Sequence, residues 1–343
     1  MKKILITGGN GYIGSHTIIE LFRNTDFEAI SIDNYSRSHK NTLDRIKKIT
    51  NRNVKNYPID LRNYKNVETV FIENPDIVGV IHFAAFKSVP ESVANPILYY
   101  DNNINSLLNI LKCCDKYNVG NFIFSSSCSI YGNVNKLPVT ETTPIGIPES
   151  PYGHTKIIGE DIIRNFVKTS KIKAMPLRYF NPVGADNTGL NGENSIDKPN
   201  NLVPIITQTA AGIIPKLTVF GNDFNTRDGS CIRDYVHVSD IANAHVLALN
   251  YLLNNKKTSN FEILNLGTGT GVTVLEAIQS FEKVSGIKLN YAIGSKREGD
   301  VAAIFSDSSK AKQILGWECN YNIDDMMKSA WKWQQQLINE KHI

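Results

Sequence analysis

Short apolar runs recur along the first half of the chain, separated by stretches whose apolar positions repeat every three or four residues. The runs are KKILITG, EAISID, VKNYPID, IVGVIHFAA, VGNFIFSSS and IKAMPLRYFN. Between them lie GYIGSHTIIELFRN, NYKNVETVFIEN, a long segment from Ser92 to Tyr117, and a helical pattern made by Ile157, Ile158, Ile162, Ile163 and Phe166. An apolar run of strand length followed by a helix-period stretch predicts a strand and its crossover. Strands joined by crossovers run parallel, in a sheet covered by helices on both faces. The predicted fold class is α/β, a doubly wound parallel sheet.

Past about Asn181 the texture changes. NPVGADNTGLNGENSIDKPNN is rich in Gly, Asn and Pro and reads as a long loop, and a loop of that length inside a compact domain is usually functional or disordered. Weaker helix and strand signals follow, ending in the helix-like DDMMKSAWKWQQQLINE. The expected organisation is a sheet domain over 1–181 and a smaller substrate-side unit over 182–343, with interweaving between the two left open.

Composition removes several classes of function. The chain has 343 residues, 41% hydrophobic and 20% charged, which is ordinary globular material. Its net charge of +4 is spread out, with no dense basic tract, so neither a nucleic-acid nor a membrane-surface partner is expected. No apolar run approaches the roughly 18 residues of a membrane helix. MKKILITGG passes from two lysines straight into a strand without a signal-like segment, so a cytoplasmic location is expected. Cys113, Cys114, Cys128, Cys231 and Cys319 are odd in number and form no Cys-x-x-Cys pair, and no His-Glu-x-x-His occurs. Disulfides and a metal site are therefore not expected.

The chemistry begins at ILITGGNGYIGSHTIIE. It contains Gly9-x-Gly11-x-x-Gly14, and also Gly8-x-x-Gly11-x-x-Gly14, directly after the first strand and opening the first helix. Such glycines allow a tight turn and close backbone approach to a pyrophosphate, which then sits at the positive helix end. The motif is weak alone, but here a strand precedes it and a helix follows. Asp33 falls 19 positions after Gly14, at the end of the second strand. A carboxylate there accepts from an adenine ribose and repels a 2′-phosphate, which favours NAD over NADP. Asp60, at another strand end, could reach the adenine or simply cap its strand.

Ligands on such sheets bind at the carboxyl ends of the strands. FIFSSSCSIYG runs off one of these ends and carries Ser125, Ser126 and Ser127; turn chemistry is the better reading for the first two. SPYGHTK follows, with Ser150 suited to an N-cap, Pro151 to the first helical position, and Tyr152 and Lys156 one turn apart on the same face. A Tyr-x-x-x-Lys pair is expected by chance in a chain with 14 tyrosines and many lysines, so context must carry its meaning. In that context the ammonium of Lys156 favours the phenolate of Tyr152, making a general base, while a serine hydroxyl orients or relays the substrate proton.

The segments TGGNGYIG, FSSSCSIYG, SPYGHTK, LRYFNPVGA, PNNLVP and RDYVHV occur in the order and spacing of the extended short-chain dehydrogenase/reductase superfamily, whose sheet is of the Rossmann type. More narrowly, the chain resembles the UDP-glucose 4-epimerase family over nearly its whole length. The resemblance implies Ser127, Tyr152 and Lys156 as the catalytic trio. It implies NAD contacts from Gly8, Gly11, Tyr12, Ile13, Gly14, Asp33, Asn34, Asp60, Leu61, Phe83, Ala84, Ala85, Lys87, Asn102 and Phe180, besides Tyr152 and Lys156. For the UDP-sugar it implies Lys87, Ser127, Tyr152, Asn181, Asn201, Leu202, Phe220, Arg233, Arg297, Asp300 and Ile304. The implied reaction is oxidation of the sugar at C4 to a 4-keto sugar, turning of the ring and re-reduction, with NAD retained. A homodimer is implied as well.

Sugar-nucleotide 4,6-dehydratases share the scaffold and the Tyr/Lys pair, but need an Asp-Glu pair directly after the serine-type residue. Cys128 and Ser129 stand there instead. A non-catalytic NAD-sensing protein tends to lose the Tyr or the Lys, and both are present. In several members of the resembled family a tyrosine stands where REGDVAAIF has Ile304, beside the sugar's C2 substituent. The smaller Ile304 leads to the expectation that UDP-GlcNAc and UDP-GalNAc are also admitted.

Overall fold

The structure is a computed structural model that describes residues 2–134, 136–196, 198–254, 259–297 and 300–341. All six apolar runs form strands: β1 (Lys3–Thr7), β2 (Glu28–Ile32), β3 (Lys55–Tyr57), β4 (Ile77–His82), β5 (Asn121–Ser127) and β6 (Lys173–Tyr179). They lie in one parallel sheet in the order β6-β5-β4-β1-β2-β3, and a seventh strand, Leu264–Leu266, pairs with β6 at the edge. The chain thus returns to the sheet from its second half.

Alternation along the strands feeds two cores. Ile4, Ile6 and Ile81 point to one face, where the helices Tyr12–Asn24 and Val238–Leu253 supply Ile18, Leu21, Ile241 and Leu249. Leu5 and Val80 point to the other, against Leu107, Ile110 and Ile163 from Pro96–Lys116 and Pro151–Phe166. Burial on both faces is why these strands read as continuous apolar runs. A third cluster, with Val203, Ile206, Val219, Tyr235, Phe281 and Met327, forms the core of the second half.

The long segment from Ser92 to Tyr117 is not one helix. Val89–Ala94 ends at Asn95, and a new helix begins at Pro96, because proline disfavours helical backbone in the residue before it. The Gly/Asn/Pro-rich segment opens with a short strand, Asn181–Val183, parallel to Tyr235–His237, and then runs irregularly. Its side chains nonetheless fold inward: Asn191 and Asp186 are nearly inaccessible. Among the described residues no helix is long and apolar enough to cross a membrane.

The chain leaves β1 toward β2 on one side and re-enters at β4 on the other. Ligand clefts of doubly wound sheets open at this reversal, beyond the carboxyl ends of the strands.

Candidate active site

A cleft of about 880 Å³ lies there. Its floor is the glycine turn between β1 and Tyr12–Asn24. Gly8 has φ +72°, and a Cβ on it would come within 3.0 Å of the Ala84 backbone nitrogen beyond β4. A Cβ on Gly14 would fall 2.3 Å from the Gly8 carbonyl oxygen. Gly11 occupies the N-cap without a side-chain cap, so the first helical N–H groups face the cleft. Such a turn lets the backbone approach an anionic pyrophosphate closely. Asp33 binds its surroundings into this cradle: Oδ2 accepts from Asn10 N at 3.0 Å, and Oδ1 from Tyr35 N at 2.9 Å and Ser38 Oγ at 2.7 Å. With about four lone-pair sites on a carboxylate, room remains for a ribose hydroxyl. The residues fit a dinucleotide.

Asp60 also borders the cleft, but its carboxylate is gripped by Arg62, with Nε at 3.0 and 3.1 Å and Nη2 at 2.6 Å, and this contact holds its pKa below the usual range. Sequence reasoning missed that partner.

On the other side of the reversal stand β5 and the Pro151–Phe166 helix. Ser150 caps this helix by accepting from Gly153 N at 3.2 Å, and Pro151 opens it, as the sequence predicts. Gly159 allows the close approach to the sheet, since a Cβ there would meet the Phe124 ring at 2.6 Å. Lys156 Nζ donates to the Ser125 carbonyl at 2.6 Å and lies 5.8 Å from the Tyr152 ring centre. Ser127 lies beside Tyr152, where its hydroxyl favours the phenolate, and all three side chains border the cleft.

Burial dominates their ionisation. Desolvation pushes the Tyr152 phenol up to about 12, against the opposing effect of the Ser127 hydrogen bond. Desolvation likewise brings Lys156 down to about 8, opposed by the charge of Glu160. Burial thus works against both charged forms in the same cleft, so the positive charge of a bound nicotinamide is expected to act together with that of Lys156 in favouring the phenolate.

Three serines leave β5 with three different duties. Ser125 Oγ pairs with the Tyr179 hydroxyl. Ser126 Oγ donates to Glu160 Oε1 at 2.6 Å. Glu160 in turn forms a buried ion pair with Arg178, at 2.9 Å from Nε and 2.6 Å from Nη2. Only Ser127 is turned to Tyr152.

The wall also contains Tyr12, Ile13, Asn34, Leu61, Phe83, Ala85, Lys87, Asn102 and Phe180 and, from the second half, Asn181, Asn201, Arg233, Asp300 and Ile304. Arg233 Nη1 donates to the carbonyls of Ile232 and Val301, and Nη2 lies 3.5 Å from Asp300 Oδ1, so its remaining donors point from a fixed fork. Leu202, Phe220 and Arg297 do not border the cleft. Phe220 ends a strand of a separate small sheet, and the exposed Arg297 stacks on its ring at 3.7 Å. Tyr179 and Glu193 border the cleft and were not singled out from sequence. The loop composition around Glu193 was the only signal for it.

A family model described as GDP-mannose 4,6 dehydratase matches residues 5–330. UDP-glucose 4-epimerase of Bacillus subtilis is 44% identical over 337 residues, 98% of each chain. The chain belongs to the UDP-glucose 4-epimerase family. The family's solved structures superpose closely on it. That of Stenotrophomonas maltophila, with bound NAD and formylated UDP-arabinopyranose, has a TM-score of 0.95 at 39% identity and covers 99% of this chain and 100% of its own. The epimerase of Bifidobacterium longum, in complex with NAD⁺ and UDP, has a TM-score of 0.93 at 44% identity, covering 98% and 99%. The Asp-Glu pair of the 4,6-dehydratases is replaced here by Cys128 and Ser129, which follow Ser127.

Proposed function

We infer that the chain interconverts UDP-galactose and UDP-glucose with NAD as a retained cofactor. The observation that carries this is the Ser127–Tyr152–Lys156 cluster, set across the β1/β4 reversal from a glycine cradle bounded by Asp33, in a chain of this family. Bound in that cradle, NAD would supply the hydride acceptor as NAD⁺, the hydride donor for the return step once reduced, and, in its oxidised form, a positive charge beside Tyr152. Tyr152 takes the proton of the sugar 4-hydroxyl and later gives it back. Ser127, whose hydroxyl lies beside Tyr152, orients the sugar hydroxyl. Lys156, anchored on Ser125, adds its charge beside the phenol whenever it is protonated. Arg233, Asn181, Asn201 and Asp300 hold the UDP portion from the second half, which leaves the sugar free to turn over as a 4-keto intermediate. C4 is thereby inverted without net redox change.

Proton NMR of UDP-galactose incubated with the purified protein and no added cofactor tests this. Appearance of UDP-glucose supports epimerisation by a retained NAD; sugar unchanged even after NAD⁺ is added would sink the reading.

Ile304, 7% exposed at the cleft wall, supports a wider substrate range that includes N-acetylated UDP-sugars. Two further proposals concern the whole chain. Val89, Val93, Ile97 and Leu98, on the helices beside the Tyr152 helix, are all substantially exposed and suit the interface of a homodimer. The five cysteines are all unpaired, in keeping with a reducing, cytoplasmic setting. We read the two expected units as interwoven, with the helix Val238–Leu253 and the strand Leu264–Leu266 completing the first.

A further inference from the structure

A carboxylate at the mouth of a cleft for a diphosphate calls for an explanation, because a bare negative charge would repel the ligand. Glu193 is not bare. Its Oε1 accepts from Lys87 Nζ at 2.9 Å and from Asn201 Nδ2 at 2.9 Å. The two donors come from distant parts of the chain: Lys87 from the segment after β4, and Asn201 from the residue that opens the helix Leu202–Ala210.

A solvent-exposed lysine–carboxylate pair ordinarily contributes little, because two long side chains must be ordered to form it. Here the acid is ordered already. Its side chain is 11% exposed against 57% for Lys87, and its carbonyl oxygen accepts from Trp333 Nε1 at 2.9 Å. The preceding Gly192 lies so close beneath Trp333 that a Cβ would meet the indole at 2.4 Å. Trp333 is covered on its other side by the Arg45 guanidinium, 4.7 Å from the ring centre, and Arg45 also donates to the Leu190 carbonyl at 3.3 Å. The C-terminal helix Ile323–Lys341 thus braces the loop, and the loop presents one oxygen to two exposed donors.

We propose that Glu193 is a positioning residue: it holds Lys87 and Asn201 at a fixed spacing across the cleft mouth, so that both meet the sugar nucleotide already ordered. It sets affinity and takes no part in the chemistry at C4. The assignment rests on the reading of the cleft given above.

The test is KM and kcat for UDP-galactose, measured on the NAD-loaded enzyme, for the wild type, Glu193→Ala, Glu193→Gln, Lys87→Met and the double variant Lys87→Met/Glu193→Ala. Glu193→Ala is expected to raise KM about tenfold with kcat within about twofold, the pattern of lost binding rather than lost transition-state stabilisation. Glu193→Gln keeps an acceptor oxygen and returns part of the loss; it also carries the comparison if the alanine variant does not fold. In the Lys87→Met background, Glu193→Ala changes KM by less than about threefold, since one of the two groups it holds is already gone and only Asn201 is left to lose its partner. An unchanged KM in Glu193→Ala, a loss confined to kcat, or effects of the two single variants that multiply in the double would each overturn the proposal. A wild type inert toward UDP-galactose would instead overturn the reading of the site on which the proposal stands.

Discussion

At the scale of single residues, the site is governed by the cost of placing charge in a cleft. Tyr152→Phe removes the proton acceptor while keeping the ring, and should lower kcat on the order of a hundredfold or more. Near-normal turnover of UDP-galactose in that variant would reassign the base. Lys156→Met tests electrostatics with a defined sign. Activity must rise as Tyr152 loses its proton, and desolvation already pushes that phenol up to about 12. Taking a positive charge from beside it raises the phenol further, so the rising limb of the kcat–pH profile moves to more alkaline pH. An unmoved limb would limit Lys156 to holding the Ser125 carbonyl. At Ile304, the substitution Ile304→Tyr adds bulk where the cleft wall is nearly closed. Turnover of UDP-GalNAc is expected to disappear while that of UDP-galactose persists, and equal loss of both in parallel assays would refute a role in selecting the C2 substituent.

At the scale of elements, the trio depends on how one helix is seated on the sheet. Ser126, Glu160 and Arg178 join β5, the Tyr152 helix and β6 through buried hydrogen bonds, and Arg178 Nη1 reaches the Tyr131 hydroxyl at 3.0 Å, which itself donates to Asn265 Oδ1 at 2.6 Å. Both members of the ion pair are almost completely inaccessible. Glu160→Gln leaves the Arg178 charge uncompensated, at a cost of about 3–5 kcal/mol. The double variant Glu160→Gln/Arg178→Met should recover part of that loss in urea unfolding, because no unpaired charge is left behind. A single variant as stable as the parent would show that water reaches the pair. Much at this scale was legible beforehand: the Ser150 cap, the Pro151 start and the run from Ile157 to Phe166 are local signals, and the helix forms where they place it. The break at Asn95–Pro96 was equally local in origin, yet the apolar periodicity continued across it and masked the proline.

At the scale of the molecule, the sheet and the second half make one cleft. Asn181 reaches it directly off the end of β6, whereas Arg233 and Ile304 reach it only because the chain returns through a pair of short parallel strands in its second half. Among the exposed apolar side chains on Val89–Ala94 and Pro96–Lys116, Val93, Ile97 and Leu98 do not border this cleft, with Ile97 at 77% and Val93 at 61% exposure. If a second copy covers them, Val93→Lys/Ile97→Lys should turn a dimer into a monomer in light scattering after size-exclusion chromatography, with the monomer's fold retained by circular dichroism. Identical masses for parent and variant would remove this face from the interface.

The sequence by itself determined the parallel α/β sheet, the glycine cradle with Asp33, and the pairing of Tyr152 with Lys156 on one helical face. Each of these is signalled by short local motifs, and within each motif backbone geometry fixes the spacing. The tertiary structure alone decided that Arg62 grips Asp60, that Phe220 and Arg297 stack away from the cleft, and that Glu193 joins Lys87 to Asn201. It also decided the direction of the Tyr152 and Lys156 shifts, against the simpler expectation. Those outcomes depend on which distant segments exclude water from a group and which charges they bring to it, and neither quantity is present in the local pattern of a chain.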